Sequence, residues 1–199
     1  MKSLKASRIF AAALIAVSVA IASAQTTTWK IDPNHSQAAF TVRHMGISNV
    51  NGRFSSISGI ITLDEKDLTK SSVNATIDTT TVDTGVAQRD GHLKSPDFFD
   101  CAKYPTMAFV SKSIARAGDG YTVTGDLTLH GVTKSVVLNL DAPDKEQLSS
   151  DNKLHRGFSA TTTIRRQDFG LVWGGTLKSG DAVVGDNVKI TLDIEAVKQ

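Results

Sequence analysis

Apolar and polar side chains alternate along much of the chain. In residues 188–195 (VKITLDIE), every even-numbered position is apolar and every odd-numbered position is polar. Because successive side chains of a β-strand point to opposite faces, this alternation predicts a strand with one buried face and one solvated face. Similar but less regular alternation predicts seven further strands, over residues 37–44, 54–63, 72–81, 106–114, 122–129, 136–141 and 158–165.

Short polar turn signals separate these predicted strands. They are Asn51-Gly52, Gly118-Asp119-Gly120, His130-Gly131 and Pro143-Asp144. Residues 145–153 are polar and predict an exposed loop. Several short strands at this spacing predict an all-β fold, either a sandwich or a closed antiparallel barrel.

Residues 84–100 (TGVAQRDGHLKSPDFFD) depart from the strand pattern. Asp83 or Thr84 can cap a short helix that begins near Gly85. Ser95-Pro96 ends this helix, because the residue before a proline avoids the helical region. Charged residues interrupt the apolar face of the helix, so we expect its charges to be paired.

The first 24 residues have the pattern of a secretory signal peptide. Basic residues precede the apolar run IFAAALIAVSVAIA, which ends in Ala22-Ser23-Ala24. A membrane anchor is the alternative, but it needs roughly 20 apolar residues. We therefore expect cleavage after Ala24, export to the periplasm, and a single domain over residues 25–199.

Charge and cysteine content narrow the function classes. The sequence carries 22 Lys and Arg against 20 Asp and Glu, and Lys2, Lys5 and Arg8 belong to the predicted leader. The mature chain is therefore near neutral, and no basic cluster indicates a nucleic-acid site. Cys101 is the one cysteine, so no internal disulfide can form, and beside two phenylalanines it is expected to be a buried apolar residue.

Motifs for metal binding or catalysis are not evident. The five histidines are scattered, and His92 has no second histidine at helical spacing, so no metal site is predicted. There is no nucleophile elbow and no phosphate-binding glycine motif. Asp97 and Asp100 could serve a hydrolase, but carboxylates at helix ends are more often caps. We predict no catalytic residue and no cofactor.

Several ordered motifs run along the whole predicted mature chain. They are Trp29-Lys30-Ile31-Asp32, His35-Ser36, Asn51-Gly52-x-Phe54, Arg89-Asp90-x-His92-Leu93-x-Ser95-x-Asp97-Phe98-Phe99, Tyr104-Pro105-x-Met107-x-Phe109, Gly125-x-Leu127-Thr128-Leu129-x-Gly131-Val132-Thr133-Lys134 and Arg166-x-Asp168-Phe169-Gly170. Together they resemble the YceI-like family of exported bacterial proteins. Arg165 departs from the family pattern, in which a small or amide residue often precedes the arginine.

This resemblance implies an eight-stranded antiparallel barrel of lipocalin-like shape, with the short helix across one end. It also implies that the interior holds a polyisoprenoid or related lipid, in a binding protein without a settled catalytic reaction. Eight strands leave room for packed side chains or for one slender ligand. The residues expected to contact the lipid are Phe40, Val42, Phe54, Ile61, Leu63, Phe109, Leu127, Leu129, Phe158, Phe169 and Trp173.

Arg89, Asp90, His92 and Arg166 form a predicted charge cluster at the barrel mouth. In the favoured interpretation, Arg89 pairs with an Asp carboxylate and fixes the helix on the barrel. In the alternative interpretation, Arg89, His92 or Arg166 meets a lipid headgroup such as a phosphate.

We consider three functions and favour the first, a lipid-binding protein. The first is a periplasmic carrier or store for a quinone or prenyl phosphate, used under stress. The second is a hydrolase or isomerase that uses Asp90 and His92. The third is a quinone-delivery partner of a membrane redox protein, with an apolar rim near Leu171 and Trp173 and transient membrane contact. A homodimer is compatible with each of them.

Overall fold

The computed structural model describes residues 26–199, which form a closed antiparallel β-barrel. The predicted leader lies outside these residues. One α-helix is present in the described part of the chain, α1 (Ala87–Lys94), and none there is long and apolar enough to cross a membrane. The strands are β1 (Thr26–Ile31), β2 (Gln37–His44), β3 (Ser48–Phe54), β4 (Ile57–Asp64), β5 (Ser72–Asp78), β6 (Val82–Asp83), β7 (Thr106–Ala117), β8 (Gly120–Leu129), β9 (Val132–Leu140), β10 (Gln147–Leu148), β11 (Leu154–Arg165) and β12 (Val184–Lys198).

Eight barrel strands close the ring, which confirms the predicted strand number and topology. The first three barrel strands consist of two segments each: β1 with β2, β4 with β3, and β5 with β6. The segments β1 and β2 lie end to end and both pair with β12. β4 pairs with β1 and β3 with β2, and in turn β5 pairs with β4 and β6 with β3. The others are β7, β8, β9, β11 and β12, each paired with its neighbour in chain order, while β10 pairs with the start of β11. The last strand therefore closes the barrel against the first.

The seam between β9 and β11 is the loosest joint of the ring. Two positions pair there, Leu140 with Ala160 and Asn139 with Thr161, whereas β11 and β12 pair along nearly their whole length. On one side of these positions, Asp141 N donates to Ser159 O (3.0 Å). On the other side, Thr162 Oγ1 donates to Val137 O (2.8 Å), and a groove of about 370 Å³ follows the two strands.

Two apolar clusters pack the two halves of the barrel interior. The cluster near α1 contains Phe54, Val82, Phe98, Met107, Leu129, Ile164, Phe169 and Leu171. The cluster in the other half contains Trp29, Ile31, Ile57, Ile61, Leu63, Phe158 and Ala196. Apart from Phe98, Phe169 and Leu171, these side chains come from strands, and their period-two pattern in the sequence forms the inner surface of the barrel.

One predicted turn is wrong. Asn51-Gly52 lies inside β3, where Gly52 pairs with Phe40, and the chain instead reverses at Met45-Gly46, whose φ angles are 52° and 71°. The glycine has a packing reason, since a Cβ on Gly52 would lie 2.3 Å from Cζ of Phe40. The ring occupies the space above the glycine, so the dipeptide is a close-approach site rather than a hairpin turn.

The short helix also starts later than predicted. Its N-cap is Val86, without a side-chain cap, because Asp83 accepts a hydrogen bond from Gly85 N instead (2.8 Å). The predicted end is confirmed, since Ser95 is the C-cap. The predicted loop over residues 145–153 contains the two-residue strand β10, and β1 had no alternation long enough to predict it.

Candidate functional site

A cavity of about 420 Å³ lies inside the barrel. Its wall is made of inward-facing side chains from the barrel strands, and α1 and residues 171–184 contribute to one end. The lining is overwhelmingly aliphatic and aromatic. Packed side chains therefore do not fill the barrel, and the remaining space has the volume of a small-molecule site, roughly 300–1,000 Å³.

Ten of the eleven predicted lipid-contact residues line this cavity. They are Phe40, Val42, Phe54, Ile61, Leu63, Phe109, Leu127, Leu129, Phe158 and Trp173. Phe169 does not line it: this residue is 2% exposed and its ring packs into the apolar cluster near α1, because the turn Arg166–Phe169 follows the end of β11. Contact of the ten residues with lipid stays a prediction.

Other residues of the cavity wall were not among the predicted lipid contacts. Ala38, Ala160, Ile190 and Leu192 also line the cavity. The alternation of residues 188–195 already marked two of them as inward-facing. The two alanines gave no such signal, because a small side chain is equally compatible with a wall, a bend or a surface.

An aromatic cluster lies over the end of the cavity beside α1. The ring of Trp173 meets His92 edge to face at 4.8 Å between centroids and lies 5.1 Å from Phe98. Nε2 of His92 is hydrogen-bonded to Asp97 Oδ2 at 2.7 Å. Aromatic contacts of this geometry stabilise by about 1 kcal/mol each beyond their area burial. They attach α1 to the segment that follows β11.

The predicted pair between Arg89 and an Asp carboxylate is wrong. Nε of Arg89 donates to Thr84 Oγ1 (2.7 Å) and Nη2 donates to Thr84 O (3.0 Å). Asp90 instead accepts from Thr84 N (2.9 Å) and Oγ1 (2.5 Å). Neighbouring helix residues do not face each other, so both side chains reach back to the chain before the helix. Of the two, Arg89 lines the cavity and Asp90 does not.

Arg166 is a buried cation at the same end of the cavity, 6% exposed. Nε donates to Gly185 O (3.0 Å), Nη1 to Leu171 O (2.5 Å) and Trp173 O (2.7 Å), and Nη2 to Val184 O (3.1 Å). Four backbone carbonyls thus solvate the guanidinium and tie residues 171–173 to the start of β12. Burial lowers the pKa of Arg166, and the charge of nearby Asp186 opposes that shift.

Arg165, the residue that departs from the family pattern, pairs with a carboxylate. Asp186 accepts from Arg165 Nε (2.7 Å) and from Gln167 N (3.1 Å). Burial alone would raise the pKa of Asp186, but these hydrogen bonds and the arginine charges outweigh it and lower that pKa. Arg165 therefore takes the local carboxylate, and Arg166 relies on carbonyl groups.

The ionisable side chains that line the cavity are all basic. Among the described residues that line it, Arg43, His44, Arg89, His92 and Arg166 are basic, and none is Asp or Glu. These basic residues lie at one end of the cavity. His44 pairs with Val184, and the carbonyl of Val184 accepts a hydrogen bond from Arg166. Arg166 also binds the carbonyl of Trp173, whose ring contacts His92. The cavity is consequently apolar along its length and positive at the α1 end, called the basic mouth below.

Comparison with known proteins identifies the family. The model of the YceI-like domain matches residues 29–196. The chain belongs to the YceI-like family. It is 37% identical over 179 residues to protein YceI of Escherichia coli O17:K52:H18, covering 89% of this chain and 90% of that protein.

Solved structures agree with the YceI-like barrel. BcnA of Burkholderia cenocepacia superposes with a TM-score of 0.71 at 25% identity, covering 83% of this chain and 98% of BcnA. A polyisoprenoid binding domain from Saccharophagus degradans has the same fold, with a TM-score of 0.61 at 17% identity, covering 87% and 99% of the two chains.

Two YceI-like motifs of this chain lie in different halves of the barrel. Residues 89–99 span most of α1 and the turn after it, beside the basic mouth. Residues 29–36 span the end of β1, where Trp29 and Ile31 are buried in the core, and the interruption before β2. The most distinctive YceI-like sequence therefore lies at the mouth, where it contributes His92 and Arg89 to the cavity wall.

Proposed function

We propose that the protein binds one polyisoprenoid or similar amphiphilic lipid, with its tail in the cavity and its headgroup at the basic mouth. The open, nearly all-apolar cavity that ends in positive charge is the observation that carries this proposal. Membership of the YceI-like family and the shared fold of a polyisoprenoid binding domain support it. The same findings favour a binding protein over an enzyme.

The apolar wall can supply the affinity without hydrogen bonds. Transfer of apolar surface from water stabilises by roughly 25 cal/mol per Å², so a tail that buries about 400 Å² would gain about 10 kcal/mol before the entropic costs of binding. The remaining polar group of the ligand then determines its orientation in the cavity.

The sign of the mouth favours an anionic headgroup, such as a prenyl phosphate, over a neutral quinone. The cavity wall carries arginine side chains and no carboxylate, and a phosphate at the mouth could accept charge-assisted hydrogen bonds from them. Arg43 is exposed and donates to Asn49 Oδ1 and Gly46 O, so contact with a headgroup would exchange these two surface hydrogen bonds for bonds to the ligand.

The alternatives receive less support from the geometry. Asp90 is hydrogen-bonded to Thr84 and does not line the cavity, so the geometry gives no support to a joint action of Asp90 and His92 on a cavity ligand. Of the predicted apolar rim, Leu171 is 4% exposed, whereas Val172 and Trp173 are 68% and 38% exposed. These two residues offer an apolar contact beside the mouth for transient docking to a membrane or a membrane redox protein.

The cellular setting is part of the same proposal. The signal-peptide pattern of residues 1–24 supports export to the periplasm. Transport or storage of the lipid under stress would follow from a soluble carrier in that compartment, and dimerisation would be an additional property of it.

Native mass spectrometry of the mature chain, purified without detergent and followed by lipid extraction, tests the binding proposal. A stoichiometric mass adduct that extracts as an isoprenoid is expected. A direct titration then compares farnesyl phosphate with farnesol, and the phosphate should bind at least about tenfold more tightly, the effect of one charged hydrogen bond.

Two outcomes of this titration would contradict different parts of the proposal. Equal affinity for the phosphate and the alcohol would refute the anionic headgroup, while absence of binding to both would refute the lipid carrier. Arg43→Gln should weaken phosphate binding several-fold and leave farnesol binding unchanged.

A further inference from the structure

A histidine and two carboxylates meet on the outside of the barrel, where the first barrel strand is interrupted. Asp32 and His35 lie between β1 and β2, and Glu195 points outward from β12. Nδ1 of His35 is 2.8 Å from Asp32 Oδ2 and 3.9 Å from Glu195 Oε1. One oxygen or nitrogen atom of each side chain lies within 4.8 Å of the others.

These distances are close to those around a shared metal ion. Tetrahedral zinc, with bonds of about 2.0–2.2 Å to nitrogen and oxygen, places its ligand atoms about 3.3–3.6 Å apart. The separations of 2.8 Å and 3.9 Å that involve His35 lie on either side of this range. Side-chain movements of up to about 1 Å would bring the three ligand atoms into it, and metal bonds would replace the hydrogen bond between His35 and Asp32.

The backbone holds the three residues in register. Asp32 N donates to Glu195 O (2.8 Å), and Ser36 Oγ both donates to Glu195 O (3.1 Å) and accepts from Glu195 N (3.0 Å). The interruption of the first strand is thereby fastened to β12 on both sides of His35. A site held this way needs little reorganisation to bind an ion.

A second histidine orients one of the carboxylates. Nδ1 of His155, on β11, is 2.6 Å from Glu195 Oε1. Ligating carboxylates in metal proteins are commonly positioned by such outer hydrogen bonds, whose loss weakens metal binding by roughly 10- to 100-fold. His155 is 19% exposed, so this outer contact is partly shielded from solvent.

The cluster carries excess negative charge. Within residues 26–199, the ion pairs of Asp32 and Glu195 are formed with histidines, and neither carboxylate pairs with a Lys or Arg. A divalent cation would neutralise the charge of the two carboxylates.

We propose that Asp32, His35 and Glu195 bind a divalent transition-metal ion of the zinc type, with His155 orienting Glu195 and water completing the coordination. One imidazole and two carboxylates form a mixed nitrogen and oxygen ligand set, which suits Zn²⁺ and its neighbours better than Mg²⁺ or Ca²⁺. The ion would clamp the first barrel strand to the last, at the point where the barrel closes. None of the four residues lines the lipid cavity, so this site is independent of the proposed lipid binding.

Calorimetric titration of the tag-free mature chain with Zn²⁺ tests the site. One saturable equivalent is expected, and the midpoint of thermal unfolding should rise by roughly 5–10 °C at about 100 times the dissociation constant. Bound Co²⁺ should show visible absorption that indicates a nitrogen ligand. His35 is 64% exposed, so His35→Ala should remain folded by circular dichroism while losing the saturable equivalent.

Further variants separate metal binding from a structural role. Glu195→Gln should also lose binding, and His155→Ala should weaken it about 10- to 100-fold. His130→Asn is the control, since His130 packs against Tyr104 away from this cluster and asparagine tolerates its positive φ of 51°. Absence of a saturable equivalent in the parent chain, or an equal equivalent in His35→Ala, would overturn the proposal, as would loss of binding in His130→Asn.

Discussion

A single substitution can block the cavity without touching its mouth. Ala160 lies on β11 between Leu140 and Leu192, all three line the cavity, and Ala160 is 7% exposed. In Ala160→Phe the added ring has nowhere to go except the cavity, where it occupies space that the lipid tail would otherwise use. We therefore expect reduced lipid affinity in a folded protein.

The size of the effect follows from the area of tail displaced. Removing about 100 Å² of tail from the apolar wall costs about 2.5 kcal/mol at 25 cal/mol per Å², a loss of roughly 70-fold in affinity. Overpacking of a filled core costs about 1–3 kcal/mol of stability, but here the ring enters open space. The unfolding free energy should consequently change by less than the binding free energy.

Fluorescence titration with farnesyl phosphate and urea unfolding of the same preparations measure the two quantities. Thr161→Phe is the matched control, because it places the same ring at the next position of β11, on the exposed face. Unchanged lipid affinity in Ala160→Phe, or an equal loss in Thr161→Phe, would mean that the tail does not occupy this part of the barrel.

Three further predictions concern stability and pH. Arg166→Met should lower the urea unfolding free energy by about 3 kcal/mol or more, because four carbonyl groups lose their donor. Gly52→Ala should lower it by about 1–3 kcal/mol through the collision of its Cβ with Phe40, and restored stability in Gly52→Ala combined with Phe40→Leu would identify that cause. The pKa of Asp186 is lowered in the folded state, so its carboxylate stabilises the fold above the ordinary carboxyl pKa of about 3.9. This contribution should be lost as the pH falls through the folded-state pKa. Urea unfolding between about pH 6 and 2 should therefore show a smaller loss of stability in acid for Asp186→Asn than for the parent chain.

Strand positions were predictable because a half-buried strand leaves a period of two in the sequence. The segments 37–44 and 188–195 coincide with β2 and with the centre of β12. The turn at Met45-Gly46 was not found, because Asn51-Gly52 presented a stronger local turn signal. Local sequence does not report that a ring from the facing strand needs the space above Gly52.

The site was less predictable than the fold. Apolar residues of a barrel can fill its interior or line a cavity, and their spacing is the same in both cases, so the open volume appears only in three dimensions. The partners of Arg89 and Arg166 are largely backbone oxygens, which carry no residue signature. Asp32, His35 and Glu195 come together because the barrel closes its first strand on its last, which spacing along the chain does not reveal.

The sparse joint between β9 and β11 gives the protein a lengthwise line of weakness. With two paired positions, β9 and β11 have fewer ladder hydrogen bonds between them than any other pair of long strands. Local opening of a protein is easiest where few backbone hydrogen bonds must break. Val136, Thr162 and Ile164 line both the interior cavity and the groove along β9 and β11, so a single layer of residues separates the two at this joint. If the cavity binds lipids as proposed, separation of β9 from β11 would widen it while the other strand pairs stay intact, so we expect the barrel to accept ligands of different thickness without unfolding.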